Sequence, residues 1–311
     1  MLDFKRIFVL VLKYGISAAC LFYVFMDVPL ADLSAALRLY SIPPIAAVVC
    51  VSFAAYSVMG LRLSYMADPP MSFRSTLCGT LVGMAFNNVL PAKAGEIAKA
   101  MWIGRENGVS SQKTLGIVFM ERFFDVNVLA LLSLWLLWAM GERFVAVTFV
   151  TCLAVGWCVL AVFRGNQALT ERFIGLFGKG WLGTFVSQAL SGVLDNMSLN
   201  RLLWLLGTSL TSWSLYATQM FLCLNFVAGL GLSLGAALSV FAVSGLSMLL
   251  PSSPGAIVVY QAFVVTLLKR YGIEPDAALA IALVSHMIQF IPVTLVGGLI
   301  FAAFPVKSIK G

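Results

Sequence analysis

Six ionisable side chains, Lys93, Glu96, Lys99, Glu121, Arg122 and Asp125, stand in stretches that are otherwise apolar. A charged side chain at the centre of a membrane helix costs about 2.5–3.5 kcal/mol on insertion scales, so such a set needs internal pairing. On a helix, Glu121 and Asp125 share one face, and Arg122, three residues before Asp125, can pair with it. Phe123 and Phe124 then point elsewhere, to lipid or core. Lys93 and Glu96 are three apart, as are Glu96 and Lys99, and they open a helical segment after Pro91. A helix start carries free amides and the positive dipole end, both favourable to an anion. The set therefore suits a phosphate-bearing headgroup. Its three cations and three carboxylates equally suit a salt-bridged lock.

Neutral polar residues extend the candidate set. Asn87 and Asn88 precede the break at Pro91 and suit headgroup contact or capping of freed backbone. Ser252 and Ser253 lie in a second break and satisfy backbone groups there; a nucleophilic serine would need a placed base. His286 titrates near neutral pH and is read as a proton relay or a hydrogen-bonded structural residue, with Gln289 one turn on. Arg62, near the end of an apolar stretch, is expected to snorkel to the cytoplasmic interface. One histidine and six cysteines without paired or metal-like spacing predict no metal and no cofactor, with the cysteines acting as small apolar residues.

The elements that must position these residues are membrane helices. The chain has 311 residues, 61% hydrophobic and 11% charged, which excludes a soluble globular domain and predicts no nucleic-acid partner. Apolar segments long enough to cross a bilayer fall at about 7–26, 42–66, 112–140, 144–163, 201–228 and 276–304. The first carries Lys13 and no small-residue cleavage site, and reads as a retained anchor. Two more apolar regions, 72–104 and 233–270, are interrupted by "NNVLPAKAGE" and "LLPSSPGA". Pro91, with Gly95 beyond it, and Pro251, Pro254 and Gly255 should break those helices into halves too short to span. Broken backbone is tolerated in a membrane only inside protein or beside water. The fold class expected is an all-α polytopic membrane protein with about six transmembrane helices and two re-entrant hairpins.

The pattern L-P-x-x-x-G-x-I occurs at 90–97 and 250–257, and G-apolar followed by L-x-I recurs at 108–117 and 272–281. One membrane domain, 1–311, is expected, holding an inverted repeat of units 42–140 and 201–304 joined by a helix and amphipathic segment at 144–200. Discontinuous helices in inverted repeats form the substrate sites of many secondary transporters. The alignment sets Ser285, His286 and Gln289 opposite Glu121, Arg122 and Asp125. With the N-terminus inside, most Lys and Arg fall on the inner side, against Arg38, Arg143, Lys269 and Arg270 outside, so both termini are expected to be cytoplasmic, in a bacterial inner membrane.

At "NNVLPAKAGEIAKA" and "ERFFD" the sequence resembles the lysylphosphatidylglycerol synthase transmembrane-domain family, also described as flippase-like integral membrane proteins. The resemblance covers about 5–305 and rests on Asn88, Pro91, Lys93, Gly95, Glu96, Lys99, Glu121, Arg122 and Asp125. Lysine stands at 93 and 99 where the family often has arginine, which removes a bidentate phosphate grip. Pro254 and Gly255 match a later motif, whereas Ala256 and Gln261 replace its glycine and glutamate. The resemblance implies only the translocating part of such a protein and gives no support for aminoacyl transfer. The expected function is a non-enzymatic flippase for an anionic phospholipid, polyprenyl phosphate or glycolipid. The rivals are a membrane enzyme acting on lipid-linked phosphate and a subunit partnering a lipid-modifying enzyme.

Overall fold

A computed structural model describes residues 42–90, 93–139, 141–247 and 257–304. The expected crossing at 7–26 lies outside these residues, as do Pro91, Pro251, Ser252, Ser253, Pro254 and Gly255. The described residues form eleven α-helices and one π-helical segment, with no strand. The helices are α1 (Ile42–Ser64), α2 (Phe73–Val89), α3 (Ala94–Asn107), α4 (Ser111–Ala139), α5 (Arg143–Gly165), α6 (Gln167–Gly175), α7 (Trp181–Leu194), α8 (Leu199–Leu222), α9 (Leu234–Ser247), α10 (Ile257–Arg270) and α11 (Pro275–Ala303), with the π segment at Cys223–Val227. The protein is an all-α polytopic membrane protein.

Length and composition explain how these helices divide. Helices α1, α5 and α11 are long and apolar enough to cross a bilayer outright. Helix α4, with 29 residues, and α8, with 24, have the length but carry charge or many hydroxyls. Helices α2 and α3, at 17 and 14 residues, rise roughly 26 and 21 Å, short of a hydrocarbon layer about 30 Å thick. They run as an antiparallel pair. At one end Asn107 accepts from the Ser72 amide at 2.8 Å and donates to Ser75 at 2.7 Å. At the other, Gly95 lies so close to Gly83 that a Cβ there would overlap the Gly83 carbonyl. Small residues let helix backbones approach where lipid offers no hydrophobic drive. Lys93 enters α3 with φ of 57°, the left-handed conformation that ends the break.

The chain divides into two compact units. Among the described residues, one contains 42–57, Leu77–Lys99 and those from Leu215 onward; the other contains Val58–Thr76 and Ala100–Ser214. In the first, α11 is the organising helix. Gly297 meets the backbone of Leu81 and the methyl of Ala85 on α2, and the rings of Phe86 and Phe301 pack edge to face with centroids 4.9 Å apart. Its neighbouring face meets α10, and Val284 and Ile288 cover a buried group of Val48, Cys223 and Val227. In the second unit, α7 lies on α4 through another close approach, where a Cβ on Gly116 would overlap the Ala189 carbonyl and one on Gly192 the Lys113 carbonyl. Phe123 packs on Trp157 of α5, and Phe124 is buried.

Candidate functional site

The second unit holds a buried ion cluster built from α1, α4 and α8. Glu121 and Asp125 project from one face of α4, one turn apart, as their spacing requires. Between them sits the Arg62 guanidinium, from the last turn of α1. Its Nη1 donates to Asp125 Oδ1 at 2.7 Å and to Ser209 Oγ at 2.6 Å; its Nη2 donates to Glu121 Oε1 at 2.6 Å and to Asp125 Oδ2 at 3.2 Å. Arg122 closes the group through Glu121 at 2.9 Å and Asp125 at 3.3 Å. Trp213 of α8 donates to Asp125 at 3.3 Å, and Trp204 donates to the Arg62 carbonyl at 3.2 Å.

Arg62 corrects the expectation drawn from its position in the sequence. A terminal-turn arginine ordinarily reaches for the interface, yet this one is wholly buried. The cause is charge balance. Helix α4 alone buries two carboxylates against one arginine, and an uncompensated charge at that depth costs several kcal/mol. The surplus negative charge of "ERFFD" is the signal that could have called for a second cation from another helix. Two arginines and two carboxylates then neutralise each other within one fork-shaped network. Arg62 and Glu121 have no exposed side-chain surface, whereas Arg122 keeps 35% of its own.

The first unit holds two further polar groups. In the hairpin, Asn87 donates to Glu96 Oε1 at 3.0 Å, tying α2 to α3, and Asn88 donates to Thr294 Oγ1 at 2.7 Å and to the Phe290 carbonyl at 3.4 Å, tying α2 to α11. Lys93 is exposed beside the break, and Lys99 is buried with its stem against Gly83. Between α10 and α11, Gln261 lies 3.3 Å from His286 Nδ1, Tyr260 lies 3.1 Å from Ser285, and the Tyr260 ring stands 4.5 Å from the imidazole. Gln289 donates back to the Ser285 carbonyl at 3.3 Å. Tyr260 was absent from the sequence-derived set, and Gln261 appeared there only as the replacement for a family glutamate. The place of Gln261 at a family motif position was the signal that could have found it.

The predicted site residues therefore fall into named groups. Glu121, Arg122 and Asp125 join Arg62 in one unit; Asn87, Asn88, Glu96, Lys99, His286 and Gln289 belong to the other. No three His, Cys, Asp or Glu side chains converge as a metal site among the described residues.

The chain is similar to known membrane proteins. The UPF0104 membrane protein of Methanothermobacter thermautotrophicus (strain Delta H) is 24% identical over 284 residues, covering 84% of this chain and 83% of that protein. UPF0104 membrane protein MJ1078 of Methanocaldococcus jannaschii is 24% identical over 236 residues, covering 70% of this chain and 93% of that protein. No solved structure matches the chain. The model of the lysylphosphatidylglycerol synthase TM region matches residues 10–297, which include the hairpin, the ion cluster and the α10–α11 contacts, and the chain belongs to that family.

Proposed function

We propose that this protein is a lipid transporter of flippase type, moving the headgroup of an anionic phospholipid, polyprenyl phosphate or glycolipid across the cytoplasmic membrane while the tails stay in the bilayer. The observation that carries this reading is the state of Arg122, a cation held beside two carboxylates yet with about a third of its side chain exposed. Arg62 satisfies Glu121 and Asp125 independently. An arriving phosphate can therefore take Arg122 from its partners without leaving either carboxylate bare. Bidentate recognition of phosphate is what the planar guanidinium does best. In the other unit, Lys93, Asn87 and Asn88 of the hairpin are a separate set of donors, with Lys99 and Glu96 setting the local charge. The chain acts without bond-making chemistry, and both of its termini are cytoplasmic.

The test is reconstitution in liposomes with fluorescent phospholipid and polyprenyl-phosphate probes, scored by accessibility to a membrane-impermeant quencher. Wild-type protein accelerates movement of at least one anionic probe, and Arg122→Ala abolishes it. Movement no faster than in protein-free vesicles for every probe would remove the proposal, and formation of a modified lipid by purified protein would replace it with an enzymatic one.

A further inference from the structure

A second polar feature lies away from the buried ion cluster, at the ends of the same helices. A recess of about 430 Å³ is lined by Met66, Ala67 and Asp68 beyond α1, Lys113 in α4, Arg164 at the end of α5, and Leu194, Asp195, Ser198 and Arg201 where α7 gives way to α8. Lys113 is about two helical turns before Glu121, so the recess opens roughly 12 Å along α4 from the ion cluster.

Its charges do not cancel. Lys113, Arg164 and Arg201 face Asp68 and Asp195, three cations against two anions, leaving one positive charge. Lys113 is committed to Asp195 at 2.7 Å, and Arg201 is braced at 3.0 Å on the Asp195 carbonyl. The Arg164 side chain makes no hydrogen bond or ion pair among the described residues. Ser198 adds a hydroxyl immediately before α8, whose first-turn amides lack helical acceptors. A monoanion with several acceptor oxygens completes both the charge and the hydrogen bonding, which describes a phosphodiester better than a dianionic phosphomonoester.

The surroundings point to the bilayer as the source of that group. Tyr65, Leu199 and Leu203, each within two residues of a lining residue, are 54%, 70% and 57% exposed, and the Tyr65 ring packs at a tilt against Trp204 with centroids 4.9 Å apart. Amphipathic aromatic rings of this kind settle at the headgroup level of a membrane. We infer that this recess is a binding site for the phosphodiester headgroup of an anionic lipid, with Arg164 and Arg201 gripping the phosphate and the acyl chains lying along the adjoining apolar surface. The site binds whether or not the protein transports lipid.

Binding is measured on the full chain in nanodiscs of zwitterionic phosphatidylcholine, titrated with short-chain phosphatidylglycerol and read by native mass spectrometry. Saturable binding is expected, weakened at least tenfold by Arg164→Ala and by Arg201→Ala, largely kept by Arg164→Lys, and unchanged by Lys269→Ala. It also falls in wild-type protein when salt is raised about tenfold, a readout that needs no variant. Equal affinity in either alanine variant with unchanged thermal melting would overturn the site, as would salt-independent binding. Inorganic phosphate competing as well as the lipid would overturn its assignment to a lipid headgroup.

Discussion

Arg62 and Arg122 show how two arginines one network apart take different work. Arg62 is fully enclosed and carries four hydrogen bonds from its two terminal nitrogens, so removing it leaves two buried carboxylates without their main counter-charge. Breaking a buried pair by deleting one partner costs about 3–5 kcal/mol. Arg62→Ala is expected to lose stability on that scale, seen as a lower melting temperature of the detergent-solubilised protein. Arg62→Ala combined with Asp125→Ala should recover part of the loss. Arg122, partly exposed and making weaker contacts at 2.9 and 3.3 Å, is expected to cost about 1 kcal/mol or less when replaced by alanine. In the same melting assay its variant stays near wild type while transport is lost. A matching collapse of stability in Arg122→Ala would make the cluster a lock and nothing more.

At the scale of elements, close backbone approaches hold the helices, since lipid gives packed helices no hydrophobic advantage over separated ones. Adjacent glycines in α11 test this cleanly. A methyl at Gly297 would run into Leu81 and Ala85 of α2, whereas one at Gly298 meets nothing within 4 Å. Gly297→Ala is expected to destabilise by about 1–3 kcal/mol and Gly298→Ala to be neutral, by thermal melting. Gly95→Ala should resemble Gly297→Ala, because its new methyl would overlap Gly83 and Asn87 and force the hairpin apart. The hairpin was legible because a Leu-Pro step in a 33-residue apolar region leaves two halves that cannot cross. That α7 would seat on α4 through Gly116 and Gly192 was not legible, because small residues mark many helix faces and pattern alone does not say which two meet.

At the scale of the whole molecule, the proposed topology makes a prediction of its own. With crossings by α1, α4, α5, α8 and α11 and each hairpin returning to its own side, Gly108 and Gly178 are expected on one side and Gly141 and Gly272 on the other. Single cysteines at these four turns in an otherwise cysteine-free variant are expected to react with an impermeant maleimide in two matched pairs, the Gly108 and Gly178 pair from the cytoplasmic side. Mixed pairs would break the layout.

Sequence alone determined that the chain lives in a membrane, that the apolar region 72–104 is split into two short helices, and that charge on α4 must be answered inside the protein. Those conclusions rest on hydrophobic length, on proline's missing amide hydrogen and on the cost of burying charge, all local properties. Only the tertiary structure decided which cation answers Glu121 and Asp125. A side chain at a helix end can reach outward to water or inward to a carboxylate, and Arg62, 59 residues before Glu121, is turned inward by partners that only packing of α1, α4 and α8 brings within 2.6 Å.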